Sequence, residues 1–248
     1  MPHCGLFDRL VPTLTNAHAI ALLASLSVLP ASASVLCQSQ PPIQLACSKA
    51  DSALLKQKYG KYFVDTVDSL RIVATNGKEL VLARNKDESP AVAEPGVIAA
   101  IEPFNLLLVI VAQWEGYELH LVNYKHGAHF KVDGWPLVSP DNKRMLIYSE
   151  AVESNYHPNQ LSIYKVTGGY LHLEYFVDGD SASTYSWGPI DPSWTDARTV
   201  HFLKKWYGDT GEMRQRVTLR LDRDGWSNSG KANKPFHATP NGARESQR

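Results

Sequence analysis

"WPLVSPDNKRMLIYSE", running from Trp135 to Glu150, is the stretch on which the reading of this chain turns. A Trp-Pro pair precedes a Ser-Pro-Asp-Asn-Lys turn, and the turn opens into Arg-Met-Leu-Ile-Tyr, a run of strand formers. The stretch is either a working site, with a catalytic Ser139–Asp141 pair, or the corner of a repeated sheet, and the repeat decides for the corner.

A second corner follows it. "SWGPIDPSWTDARTVHF", from Ser186, again runs Trp, Pro, an aliphatic, Ser, an Asp turn, Arg and an alternating run that ends in an aromatic. Ser193 matches Ser139 and Arg198 matches Arg144 at one common offset. Downstream, "LSIYKVTGGY" from Leu161, "VTLRLDRDGW" from Val217 and "LHLVNYKHGA" from Leu119 all carry a glycine at the same distance after their first aliphatic. The unit is turn, strand, loop, strand, Gly turn, strand, and it occurs three times. A rival register superposes Leu119–Leu121 on Leu171–Leu173; the first register is preferred because it keeps the Gly turn inside a hairpin each time.

The hairpin of "LRIVATNGKELVLA" supplies a fourth unit, and Asn76-Gly77 predicts a two-residue turn with positive φ at both positions. Before it, "SKADSALLKQKYGKY" reads as one short helix, capped by Ser48, turning Leu54 and Leu55 inward and stopped by Gly60. After residue 60 the apolar segments are short, rich in Val, Ile, Leu, Tyr and Phe, and bounded by Gly, Pro, Asp or Asn. The fold class is all-β.

Repeated multi-stranded units with aromatic and Ser-Pro-Asp corners resemble the blades of a β-propeller. "SPDNKRMLIY" followed by "LSIYKVTGG" is similar to the blade pattern of bacterial TolB-like and WD-repeat-like proteins: Ser-Pro-Asp-Gly-Lys, aliphatics, Ile-Tyr and a Gly turn. Asn142 stands where that family usually has Gly, and the second copy departs further, to "SWTDARTV". The resemblance covers about residues 97–226 and implies a small propeller-like array of about four units in which the Ser-Pro-Asp corner is structural. The expected organisation is an export signal over 1–33, a disulfide-tied segment with the short helix over 34–69, the repeat domain over 70–226 and a flexible tail over 227–248.

The export reading rests on "AHAIALLASLSVLPASASVL", Ala17 to Leu36, an apolar core that ends in the small residues Ala31-Ser32-Ala33. Pro30 and the serines interrupt the run short of the ~20 apolar residues a membrane span needs, so no span is expected after cleavage. The n-region is poorly basic, with one Arg9 offset by Asp8. Cys4 leaves with the signal, and Cys37 and Cys47 remain as an even pair, which in an exported chain favours a disulfide. Lys plus Arg and Asp plus Glu balance at 25 each. No basic stripe argues for nucleic acid.

Catalytic patterns are missing or broken. There is no G-x-S-x-G elbow, and "GWSNSG" breaks the pattern at its last position. His120, His126 and His129 invite a metal reading without a carboxylate at a telling offset. "VDGDSAS" resembles the start of a calcium loop, but Pro189 occupies the position of its bidentate Glu. No catalytic residue, metal ligand or cofactor is assigned. The aromatics are the better lead: Trp135 and Trp187 recur at the corners and read as packing, whereas Trp194, Trp206, Tyr207 and Tyr156 fall in less regular places and are the candidate binding residues. The two longest insertions, Ser149–Gln160 and Lys204–Arg216, occupy the same place in consecutive units and are expected to border one patch.

The leading expectation is a periplasmic or secreted, non-enzymatic binding module that recognises a protein partner of the cell envelope, as an inhibitor or immunity factor. The alternative is a carbohydrate-active enzyme or lectin on the same scaffold. Export carries its own test. Intact mass of protein from the periplasmic fraction should place the mature N-terminus near Ser34 with Cys37 and Cys47 oxidised; a full-length product with free thiols would contradict both expectations.

Overall fold

The computed structural model describes residues 43–45, 49–86, 91–154, 156–181, 185–228 and 236–237. The signal segment, Cys37, Cys47 and Ser48 lie outside them. One helix, α1 (Lys49–Tyr59), precedes four antiparallel sheets. The first sheet holds β2 (Phe63–Asp65), β3 (Ser69–Val73) and β4 (Glu79–Ala83). The second holds β5 (Glu94–Ile101), β6 (Leu106–Ala112), β7 (Tyr117–Asn123) and β8 (His129–Val132), with β1 (Ile43–Leu45) added beside β5. The third is β9 (Trp135–Val138), β10 (Arg144–Ser149), β11 (Gln160–Thr167) and β12 (Tyr170–Asp178). The fourth is β13 (Trp187–Asp196), β14 (Thr199–Gly208), β15 (Gly211–Leu221) and β16 (Trp226–Asn228). Within the tail segment, β17 (Phe236–His237) pairs with β15.

Apart from β1 and β17, each sheet is a meander of sequential neighbours, and the last hairpin of every one turns on a glycine at positive φ. Gly77 (83°) joins β3 to β4, Gly127 (72°) β7 to β8, Gly169 (81°) β11 to β12 and Gly225 (120°) β15 to β16. This is the preferred register of the repeat, with its fourth copy in the first sheet. The Asn76-Gly77 turn differs in detail from its expected form. Gly77 alone has positive φ, its N–H donates to the Ala74 carbonyl at 2.9 Å, and the Ala74 N–H donates to that of Lys78 at 2.8 Å. That is a turn with one extra residue, in which a left-handed Gly closes an ordinary bend.

The opening corner joins β9 to β10. Ser139, fully buried, donates its hydroxyl to Asp141 at 2.7 Å and accepts the Arg144 N–H at 2.9 Å. Asp141 accepts the Lys143 N–H at 3.2 Å. Asn142 sits at φ 55°, the left-handed conformation that Asn tolerates and Gly prefers. In the fourth sheet Asp196 takes the role of Asp141, accepting the Arg198 N–H at 2.7 Å. Ser193 does not take the role of Ser139. It lies exposed inside β13, opposite His201, because bulges after Ile190 and Trp194 absorb the extra residues of that copy.

Three strands run against local propensity. β9 and β13 contain Pro136, Pro189 and Pro192, which a sheet admits because both are edge strands. β5 is half Gly, Pro and Ala, poor strand formers that tertiary pairing to β6 overrides. In α1 the buried positions are Leu55 and Tyr59, one turn apart, and Leu54 is exposed. The inward face is therefore narrower than the Leu54-Leu55 pair suggested.

The sheets pack face to face in chain order. Leu70 and Ile72 of the first sheet, with Leu55 and Tyr59 of α1, meet Ala100, Leu107, Val109 and Val122 of the second. The other face of the second, Ala99, Ile101, Leu106, Leu108, Leu119 and Leu121, meets Met145 and Ile147 of the third. Leu146, Leu161 and Ile163, on the reverse of the third, meet Trp187, Val200, Phe202, Val217 and Leu219 of the fourth. Among the described residues no apolar cluster joins the fourth sheet to the first.

The corner chemistry predicts an ordered pair of effects. Asp141→Ala should lower stability by about 1 kcal/mol, the scale of one turn hydrogen bond, and Ser139→Ala by more, because it removes a buried group that serves several partners. Urea unfolding of the two variants measures both; an unchanged midpoint for either would remove the corner from the account.

Candidate functional site

A four-stranded meander has a built-in parity. Its first and third turns emerge at one end, its second turn and the links to neighbouring sheets at the other. The Ser139 corner and the Gly turns of the three four-stranded meanders therefore share one end. The opposite rim collects the β6–β7 turn (113–116), the β10–β11 connection (150–159) and the β14–β15 turn at Asp209-Thr210.

Side chains tie this rim together. Lys205 Nζ lies 2.7 Å from Glu153 and 3.2 Å from Glu150, and the Tyr207 hydroxyl also donates to Glu153. Deeper in, the buried Asn159 accepts the Ala151 N–H at 2.7 Å and donates its amide to Asp180 at 2.8 Å; Ser186 donates to the same carboxylate. These bonds hold the Asp180 carboxyl below its usual range against the opposing pull of burial. Asn159, Asp180 and Ser186 thus form a joint between the third and fourth sheets, and the Asp180 of "VDGDSAS" is already committed.

Between the β6–β7 turn and the β10–β11 connection runs an open groove of about 510 Å³. Its floor is Tyr117, whose hydroxyl accepts the Trp135 Nε1–H at 3.0 Å, with His157 packed over the ring at 4.3 Å between centroids. Burial pushes the Tyr117 phenol up and the His157 imidazole down, with Asp133 partly opposing the second effect. Its rims carry Trp114 (61% exposed) and Tyr156 (58%), two large rings left in water. Acids line it as well: Glu115, Asp133 and Glu118, the last paired to Lys131 at 2.8 Å and held low chiefly by that bond. At the base the chain passes from β8 to β9 through Gly134, where a β-carbon would lie 2.2 Å from the Tyr148 carbonyl oxygen. Only glycine permits that approach.

The four expected binding residues separate. Tyr156 lies on the groove, and Tyr207 is exposed on the same rim, tied to Glu153. Trp206 is half-buried against the apolar contact of the third and fourth sheets. Trp194 lies near the opposite end, its Nε1–H directed at the Leu137 carbonyl (3.3 Å) and its ring edge-on to Trp226 at 5.8 Å. Lys204–Arg216 is not an irregular insertion: Lys204–Gly208 and Gly211–Gln215 pair residue for residue as a hairpin, and Arg216 pairs with Leu203. Its equivalence to the β10–β11 connection nonetheless holds, since Lys205 and Tyr207 reach Glu153.

Trp114, Tyr117 and His157 were not singled out as site residues. Trp114 sits in "AQWEGYE", a Trp at a Gly-containing turn, and the meander parity that places this turn beside Tyr156 was the signal available. The histidines do not converge as a trio. His120 Nδ1 and His129 Nε2 share a 2.7 Å bond, whereas His126 reaches the Gly168 carbonyl and stacks on Tyr170 at 4.6 Å. Among the described residues no three His, Cys, Asp or Glu side chains are grouped to hold a metal ion.

The buried imidazoles set a pH dependence. His120 is lowered by burial first and by the neighbouring His129 second, and His157 by burial. A histidine depressed in the folded state contributes fully above its unfolded value of about 6.5 and loses that contribution as the pH falls toward its folded value. Denaturant titrations should show stability that falls as the pH is lowered through about 6.5; stability that rises on the same acidification would contradict the depression of these rings by burial. No protein-family model matches this chain, and no curated protein matches it.

Proposed function

We propose that this chain is an exported, non-enzymatic binding module whose rim engages another protein of the cell envelope, as an inhibitor or immunity factor would. The scaffold in this reading is a small propeller-like array, its four meanders corresponding to TolB-like or WD-repeat-like blades. One observation carries the reading: Trp114, Tyr156 and Tyr207 are exposed on the same rim, and the connection that bears Tyr156 is pinned by the Asn159 bonds to Ala151 and Asp180. Rigid sheets that present exposed aromatics on turns are the usual construction of a protein interface.

The carbohydrate-active alternative draws on the same rings and acids. A glycosidase needs one carboxyl raised enough to remain protonated. Glu118 is displaced the other way by Lys131, which counts against it as that acid.

The test is affinity capture from an envelope fraction with the full chain as bait. Trp114→Ala and Tyr156→Ala should each weaken retention of the partner by about 2 kcal/mol or more, the cost of removing a buried anchor, while thermal unfolding stays near the parent's because both rings are exposed. Phe176→Ala, an exposed ring on β12 outside the groove, is the matched control. Equal retention by all three variants would move the interface off this rim.

A further inference from the structure

We propose that the groove between Trp114 and Tyr156 receives a basic side chain, Lys or Arg, from an extended segment of the protein partner; this rests on the binding reading above. The inference comes from the balance of charge inside the groove. Three carboxylates line it, those of Glu115, Glu118 and Asp133, against one ammonium, Lys131. Lys131 is spent on Glu118 at 2.8 Å. Glu115 and Asp133 enter no ion pair among the described residues. His157 supplies no compensating charge at neutral pH, since burial lowers its pKa.

The surplus is local. Over the whole chain acids and bases balance at 25 each, so two unpaired carboxylates in one groove are not the echo of an acidic protein. They share that groove with two rings that are 61% and 58% exposed. Aromatic faces attract a cation through their quadrupole, and carboxylates accept its N–H donors in charge-assisted bonds. A single groove offering both favours an alkyl stem that lies along rings and ends in a cation, the form of Lys and Arg. An uncharged sugar would use the rings and gain little from two ionised acids. A bare metal ion would want three convergent ligands, and no such group is present among the described residues.

The competing occupants are separated by one titration series. The full chain is titrated with a blocked Gly-Lys-Gly-Arg-Gly peptide, with its norleucine and citrulline counterpart, and with chito-oligosaccharide, following the Trp114 indole and Tyr156 ring resonances at low and at physiological salt. The basic peptide should shift both resonances and the neutral peptide should not. Its affinity should fall at least tenfold in Glu115→Gln/Asp133→Asn, fall in Trp114→Ala, and weaken with added salt, while Glu115→Gln/Asp133→Asn keeps the parent's thermal unfolding. Shifts of equal size with the neutral peptide, or a response to the oligosaccharide alone, would overturn the proposal. So would a captured partner whose retention depends on Trp114 but ignores Glu115→Gln/Asp133→Asn; in that case the rim remains an interface and only its charge selectivity is wrong.

Discussion

The contact between the second and third sheets is the constraint on which the rest of this structure depends. Leu106, Leu108, Leu119 and Leu121 on one side and Met145 and Ile147 on the other are almost wholly removed from water. Each such side chain contributes on the order of 1.5–3 kcal/mol by burial, and together they set the spacing of the two sheets. Everything at the rim above them inherits that spacing. The turn bearing Trp114 belongs to the second sheet and the connection bearing Tyr156 to the third, so the groove exists because these two sheets are packed and not because either loop forms it alone.

The pattern of burial also explains the order of the stack. The middle sheets are apolar on both faces: β6 sends Leu106 and Leu108 one way and Leu107 and Val109 the other, and β10 divides Met145 and Ile147 from Leu146. The terminal sheets are apolar on one. In β3, buried Leu70 and Ile72 alternate with exposed Arg71; in β14, buried Val200 and Phe202 alternate with exposed His201. A strand buried on both faces reads as a continuous apolar run and a strand buried on one reads as an alternation. The rim completes the design from the polar side. Asn159 and Asp180 meet groups that lie outside the ladders of β11 and β12, and in doing so they fix the connection that carries Tyr156 and His157.

Much of this was legible in the chain. Short Val-, Ile-, Leu- and Tyr-rich runs between Gly, Pro and Asp identify strands because β-branched and aromatic residues fill a pleated surface, and the recurring glycine marks a turn because only positive φ closes it. The Ser139–Asp141 corner was readable for the same local reason: its hydrogen bonds span a handful of consecutive residues. Signals of that range fail where distant partners decide. β5, β9 and β13 are strands through their ladders despite Pro and Gly, and Leu54 and Leu55 cannot be told apart until the position of the second sheet is known.

The sequence by itself determined the all-β class, the register of the repeat and its glycine turns, because these follow from backbone geometry and from side-chain periodicity along a few neighbours. Tertiary structure alone decided the site. Trp114 and Tyr156 are far apart in the chain and approach only through the stacking of two sheets, while Trp194 and Trp206, equally conspicuous in sequence, turn toward apolar neighbours. Whether an aromatic ring packs or waits in water depends on what lies across from it, and that is a property of the fold and not of the residue.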